Sequence, residues 1–193
     1  MSIDRRSFVT GACCGAVAVA AAGAALPLLS PSVSAGADAH QPAVLPAGAD
    51  PAAYARERFL SHWNCTQAVL ESLSGHAGMD AEALTRITTP FAAGMWNGLT
   101  CGAVTGAMMA LGMRFGRASD GDGKATDVTK VKMRELAAAM RAQFGNLDCS
   151  ALLGADMATD AGVSQAAGKG LFKSKCPLLV EAAVKEAAKL MST

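Results

Sequence analysis

Four cysteines, Cys65, Cys101, Cys149 and Cys176, carry the chemistry that this sequence can offer. They lie 36, 48 and 27 positions apart. No two form Cys-x-x-Cys, so a zinc ribbon, a thioredoxin-like dithiol and a covalent c-type haem site are not indicated. What the four share is the type of residue beside them. Asn64 precedes Cys65, and Gln67 follows that Asn by three places, a variant of the capping box. Thr100 precedes Cys101 and Asp148 precedes Cys149, both of them N-cap residue types. Pro177 follows Cys176 and favours the first helical position. The pattern predicts a helix N-terminus at every one of the four thiols, with Thr100 as cap and Cys101 in the first turn.

A helix N-terminus presents unpaired N–H groups and the positive end of the macrodipole. An anion there gains about 0.3–1 kcal/mol, and up to about 2 kcal/mol when partly buried. Thiolate is therefore favoured over thiol. Four thiolates at one point repel unless a cation sits between them, and iron or zinc would serve. Leftover N–H groups could then bond to the ligand sulfurs.

Helices must position these thiols. Asp50-Pro51 starts one that ends near His62, and Asn64 starts a second that carries Ala68, Val69 and Leu73 inward. Asp80 caps a third, which passes through Leu84 and Ile87 and closes at Pro90. "FAAGMWNG" is a glycine-bearing loop. "GLTCGAVTGAMMALG", residues 98–112, opens a fourth helix that ends near Phe115. "RASDGDGKATD" is a solvated loop. Val128 to Phe144 is amphipathic, with Val128, Leu136, Met140 and Phe144 facing inward. Short helices follow at Cys149–Leu153 and around Ser164–Ala167, and Pro177–Met191 is the last. No alternating strand pattern occurs. The fold class is all-α, a compact bundle around a buried Gly/Ala/Met-rich helix. That helix has only about 15 apolar residues, short of the roughly 20 needed to span a bilayer. Its Gly102, Gly106 and Gly112 together cost about 3 kcal/mol against alanine. Close approach by neighbouring helices or by a cofactor, where a Cβ would not fit, would offset this.

The chain opens with Arg5-Arg6-Ser7-Phe8, a moderately apolar Gly/Ala-rich run and the cleavage-site pattern Val33-Ser34-Ala35. Residues 1–35 read as a twin-arginine export signal, residues 36–50 as a flexible linker, and residues 51–193 as one helical redox domain. Export implies a periplasmic or external protein with no stable membrane span after cleavage. The twin-arginine route carries folded proteins, which suits a chain that acquires its cofactor first. Removing the signal takes away Cys13 and Cys14 and leaves 15 basic and 15 acidic residues, without the basic excess that nucleic-acid binding needs. No Ser-His-Asp set, phosphate loop or paired carboxylates appear. His62 lies three residues before Cys65, but an exposed role is the better expectation. His40 falls in the linker and His76 in a turn. Met108, Met109 and Met113 read as core filling rather than copper ligands. Trp63 and Trp96 flank the cysteine-bearing caps and could shield a site from water.

"NCTQAVLESL", "TCGAVTGAMMALG", "DCSALLG" and "GLFKSKCPLLVEAAV" together resemble the redox-active protein family named for its motif, C-GCAxxG-C-C. A related domain occurs in split-Soret cytochromes. The resemblance covers about residues 52–190. Cys65 matches the first cysteine of the family pattern, Cys101 the central one, and Cys149 and Cys176 the last two. Around Cys101 the order is Thr100-Cys101-Gly102-Ala103-Val104-Thr105-Gly106, which departs from Gly-Cys-Ala-x-x-Gly. The resemblance implies a redox role, with Cys65, Cys101, Cys149 and Cys176 as ligands of an iron–sulfur cluster. The expected partner is a redox protein such as a cytochrome or membrane oxidoreductase, and a homodimer is left open. Two alternatives use the same cysteines: thiol–disulfide exchange, and a non-redox module stapled by zinc or disulfides.

Overall fold

The computed structural model describes residues 45–73 and 81–193. The export signal, residues 36–44 of the linker, His40, His76 and Asp80 lie outside them. Asp50 caps α1 (Pro51–His62), its Oδ1 accepting from Ala53 N at 2.7 Å. Trp63 ends this helix in the left-handed region, φ 60°, and its N–H donates to Phe59 O. One residue later Asn64 Oδ1 accepts from Gln67 N at 3.0 Å, so α2 (Cys65–Leu73) starts almost where α1 stops. Helix α3 (Ala81–Thr88) buries Leu84, and its last residue bonds back through Thr88 Oγ1 to Leu84 O.

Helix α4 (Gly102–Phe115) is the centre of the fold, packed by α2, by α5 (Gly123–Phe144) and by α9 (Cys176–Met191). Ala103, Val104, Ala107 and Leu111 of α4 meet Val69, Leu136, Met140, Val180 and Val184 in one buried core. Each fully buried Val, Leu or Met side chain contributes about 1.5–3 kcal/mol. Met108 packs against this core, while Met109 and Met113 pack with Leu70, Leu84 and Ala110. The methionines are therefore core filling, as their setting in the sequence implies. Among the described residues there is no strand, only a single antiparallel bridge between Thr100 and Asp148. The protein is all-α.

Three boundaries differ from expectation. Helix α5 begins at Gly123 because Asp122 Oδ1 accepts from Ala125 N at 3.0 Å, a cap hidden inside an apparently solvated loop. Its first turns are solvent-facing, and Val128 is exposed rather than inward. Helix α7 (Asp160–Gly168) is longer than its apolar residues suggest, because Thr159 caps it through Gly162 N. It follows α6 (Cys149–Leu153), which lies where the sequence places it. A short α8 (Leu171–Ser174) then runs into α9 through Lys175, which keeps helical backbone angles.

Candidate functional site

All four cysteines are found at helix starts. Cys65, Cys149 and Cys176 are the first residues of α2, α6 and α9. Cys101 is itself the N-cap of α4, with φ −52° and ψ 134°. This is one position later than a Thr100 cap would give. Thr100 is instead occupied in the bridge to Asp148. Cys101 N donates to Leu147 O at 2.8 Å, and Cys149 N donates to Leu99 O at 2.7 Å. Asp148 stands at the cap of α6 without a side-chain capping bond. Asn146 Oδ1 organises this corner by accepting from both Leu147 N and Asp148 N.

The four thiols line one cavity of about 270 Å³. The rest of its wall is apolar, from Phe59, Ala92, Ala93, Ala103, Leu153, Met157, Val163, Phe172, Leu179 and the rings of Trp63 and Trp96. Both tryptophans stand at the rim, 47 % and 57 % exposed. They only partly shield the site, and Trp96 is anchored by Nε1 donating to Thr89 O at 3.2 Å.

Glycines allow α4 to bring Cys101 to Cys65. A Cβ at Gly102 would collide with Cys65 Sγ and would lie 2.9 Å from Phe91 O. A Cβ at Gly106 would lie 2.7 Å from Thr66 O. Both glycines face the first turn of α2, which supplies their structural role despite the altered motif order. Gly112 is different, since a Cβ there meets nothing within 4 Å. Close packing does not explain it.

Ala93, Gly94, Met95 and Trp96 form a left-handed turn, with φ of 51°, 66°, 59° and 56°. Such a conformation costs about 1–2 kcal/mol for each L-residue with a side chain. Gly94 O accepts from Leu99 N at 3.1 Å and closes the turn. The turn aims Ala93 N–H at Cys65 Sγ, beside the N–H groups of Cys65 and Thr66. The sequence marks this segment only as a glycine-bearing loop. The Gly94 and Gly98 pair, both with positive φ, is the one signal that it hosts special geometry.

The thiols are not equivalent. The Cys101 S–H bond to Cys65 lowers Cys65, and with these three N–H groups it outweighs burial, bringing it from 9.0 to about 7. Cys101 is pushed well above its ordinary value, first by that same bond and then by burial and the charges of Cys65 and Cys149. Cys149 and Cys176 are each pushed up to about 12, chiefly by burial and then by the Cys65 charge. Only Cys65 ends below its ordinary value, chiefly through the Cys101 bond; the Ala103 N–H lowers Cys101 as well but is outweighed. In an apolar wall, desolvation outweighs a terminus worth about 1 kcal/mol, and α6 has only five residues.

Among the described residues, no three His, Cys, Asp or Glu side chains gather into a preformed site for one metal ion. A tetrahedral zinc needs four donors within about 2.3 Å of a single point. Here the thiols are distributed around a cavity instead. Four sulfur donors are the ligand type that both zinc and iron–sulfur groups take.

His62 is not on this wall. Its Nδ1 accepts from Asn64 N at 3.2 Å, and its Nε2 lies 3.5 Å from Glu71 Oε2. Glu71 is a buried carboxylate bonded by Arg58 Nε at 2.8 Å and by Gln67 Nε2 at 2.7 Å. Burial alone would raise Glu71, but bonds from His62, Arg58 and Gln67 hold it at about 2. This network ties α1 to α2 and holds His62 largely buried rather than exposed, while Arg58 and Glu71 carry no chemical pattern that marks them in the sequence.

Comparison with known families matches residues 63–190 to the family described as "Putative redox-active protein (C_GCAxxG_C_C)". The chain belongs to the C_GCAxxG_C_C family. The match contains all four cavity cysteines and the helix start at each of them. Comparison with curated proteins and with solved structures returns no match.

Proposed function

We propose that this member of the C_GCAxxG_C_C family is an exported electron-transfer protein in which Cys65, Cys101, Cys149 and Cys176 hold one iron–sulfur cluster. The observation that carries the reading is the meeting of four thiols from four helix starts in one apolar cavity. The cluster would supply a one-electron couple. The chain's own contribution is binding and insulation. Apolar side chains keep water from the sulfurs, and N–H groups of Ala93, Cys65 and Thr66 stabilise negative charge on Cys65. The cations of the cluster would offset the desolvation that holds Cys149 and Cys176 protonated without it. Trp63 and Trp96, half-exposed at the rim, mark the side from which a redox partner, such as a cytochrome or membrane oxidoreductase, would approach. The twin-arginine leader supports export after the cluster is in place.

A second reading rests on the direct Cys65–Cys101 contact. As a dithiol, the pair would close to a disulfide, passing two electrons and two protons to a disulfide acceptor. Anaerobic purification separates the two. The first reading expects a coloured protein with iron and acid-labile sulfide, an EPR signal on one-electron reduction or oxidation, and loss of iron in each Cys→Ser variant. A colourless, iron-free protein in which Cys65 and Cys101 interconvert between dithiol and disulfide would replace it with the second. Fractionation of cells producing the full chain, against an Arg5/Arg6→Lys variant, tests export.

A further inference from the structure

A groove of about 350 Å³ opens beside the thiol cavity, lined by Trp63, Ala167, Gly168, Gly170, Phe172 and Lys173. Trp63 and Phe172 line the thiol cavity as well. Whatever seats in the groove therefore touches two rings that also wall the thiols. Gly168 keeps the groove open. It is the last residue of α7, where glycine weakens a helix. A Cβ there would meet nothing within 4 Å, and its φ is not positive, so neither packing nor a left-handed backbone accounts for it. Gly170 differs, since its φ of 67° does. A position without a side chain lets another backbone come close.

The charge around this groove has one sign. Residues 161–180 carry Lys169, Lys173 and Lys175 and no acidic residue. Lys173 is in the groove wall, Lys169 lies between two wall glycines, and Lys175 adjoins Cys176. All three are exposed, and none makes an ion pair among the described residues. Burial and the charges of Cys65 and Cys149 raise the Cys176 thiol, and the Lys175 ammonium opposes them, so its field reaches the thiol cavity. The acids of the neighbouring segments, Asp148, Asp156 and Asp160, stay out of the groove. Asp156 Oδ1 accepts from Ala158 N at 3.1 Å, and Asp160 starts α7, roughly 13–14 Å along its axis from Lys169. Unpaired cations at the rim of an apolar contact steer an oppositely charged surface and fix its register. A concave groove receives a projecting segment of another chain, which a flat bilayer does not offer.

We propose that this groove is the docking site for the acidic surface of an electron-transfer partner protein, whose chain seats over Gly168 with its carboxylates on Lys169, Lys173 and Lys175. The proposal rests on the electron-transfer reading of the thiol site. The probe is flavodoxin, an acidic electron-transfer protein, titrated calorimetrically into the full chain, with basic cytochrome c as counter-probe. Saturable binding that weakens as salt rises is expected with flavodoxin and not with cytochrome c. Combined Lys169→Glu, Lys173→Glu and Lys175→Glu lowers affinity roughly tenfold or more. The same reversal on α5, at Lys124, Lys130 and Arg134, changes it roughly twofold or less. Gly168→Leu lowers affinity by roughly tenfold or more, while the free chain keeps or raises its melting temperature, since the new Cβ meets no neighbour and leucine favours a helix. Iron and sulfide are measured in the same samples. An iron-free chain that binds flavodoxin through these residues supports the docking site and removes the cluster reading. An iron-loaded chain that does not bind, or whose affinity ignores the lysines and Gly168, overturns the docking site and leaves the cluster. Binding to phosphatidylglycerol vesicles in place of flavodoxin assigns the lysines to a lipid surface and overturns it as well.

Discussion

Cys101 and Cys149 are set side by side by their backbones. Each donates its N–H across a two-bond bridge, to Leu147 O and Leu99 O respectively. The bridge fixes where the two thiols enter the cavity before any ligand is considered. It also uses up both amides. Neither can then donate to a bound sulfur, whereas Cys65 keeps three N–H groups directed at its own. The site is therefore electrostatically lopsided, with negative charge best accommodated at Cys65.

That asymmetry predicts a stability maximum in the reduced, metal-free protein. Cys65 titrates at about 7 when folded, below its ordinary 9.0. The folded chain therefore loses that proton first, and stability rises as pH goes from about 7 to about 9. Cys149 and Cys176 titrate at about 12 when folded. For them the unfolded chain loses the proton first, so stability falls from about 9 to about 12. Urea midpoints measured across this range should peak near pH 9. A steady decline from pH 7 upward would mean that Cys65 is not the stabilised thiolate.

Glu71 sets the acid limb. Its carboxyl is held at about 2 against an ordinary 4.5. Its contribution is complete above 4.5 and is lost as pH falls toward 2. Glu71→Ala should cost about 3–5 kcal/mol at pH 7, since it leaves the Arg58 guanidinium largely buried beside an empty space. The difference between variant and parent, read from denaturant unfolding, should shrink below pH 4.

The glycines of α4 should respond with opposite signs. Gly102→Ala and Gly106→Ala force a Cβ into Cys65 or Thr66, with an overpacking cost of about 1–3 kcal/mol each. Gly112→Ala meets open space and should gain about 0.8–1 kcal/mol in helix propensity. Thermal unfolding of the three variants checks this, and a destabilised Gly112→Ala would show that the position serves something other than packing.

The chain has two tryptophans, Trp63 and Trp96, and both line the thiol cavity. Reconstitution with iron and sulfide should therefore quench most of the tryptophan emission. The parent should show the loss and the Cys65→Ser variant should not. Unchanged emission in a loaded parent would place the bound iron away from this cavity.

Three of the four helix starts are legible because Asn64, Asp148 and Pro177, residue types that favour helix N-termini, each sit beside a cysteine; at Cys101 the neighbouring Thr100 points one position too early, because it is taken up in the bridge to Asp148. The all-α class followed from the same punctuation. Asp122 is not legible as a cap because two glycines and a second aspartate surround it, so its local signal resembles a solvated loop. The unequal thiols were not legible, because desolvation depends on which apolar side chains arrive from distant segments, such as Leu153 and Phe172. Ala93 is the least legible of all. An alanine carries no chemical signal, and its importance lies wholly in the direction of its N–H.

The turn at residues 93–96 coils in the sense opposite to every helix around it. It is a short mirror-image segment assembled from residues of ordinary chirality. Position 93 is thus a place where a d-alanine introduced by chemical ligation would be more at ease than the natural residue, while pointing the same amide at the same sulfur.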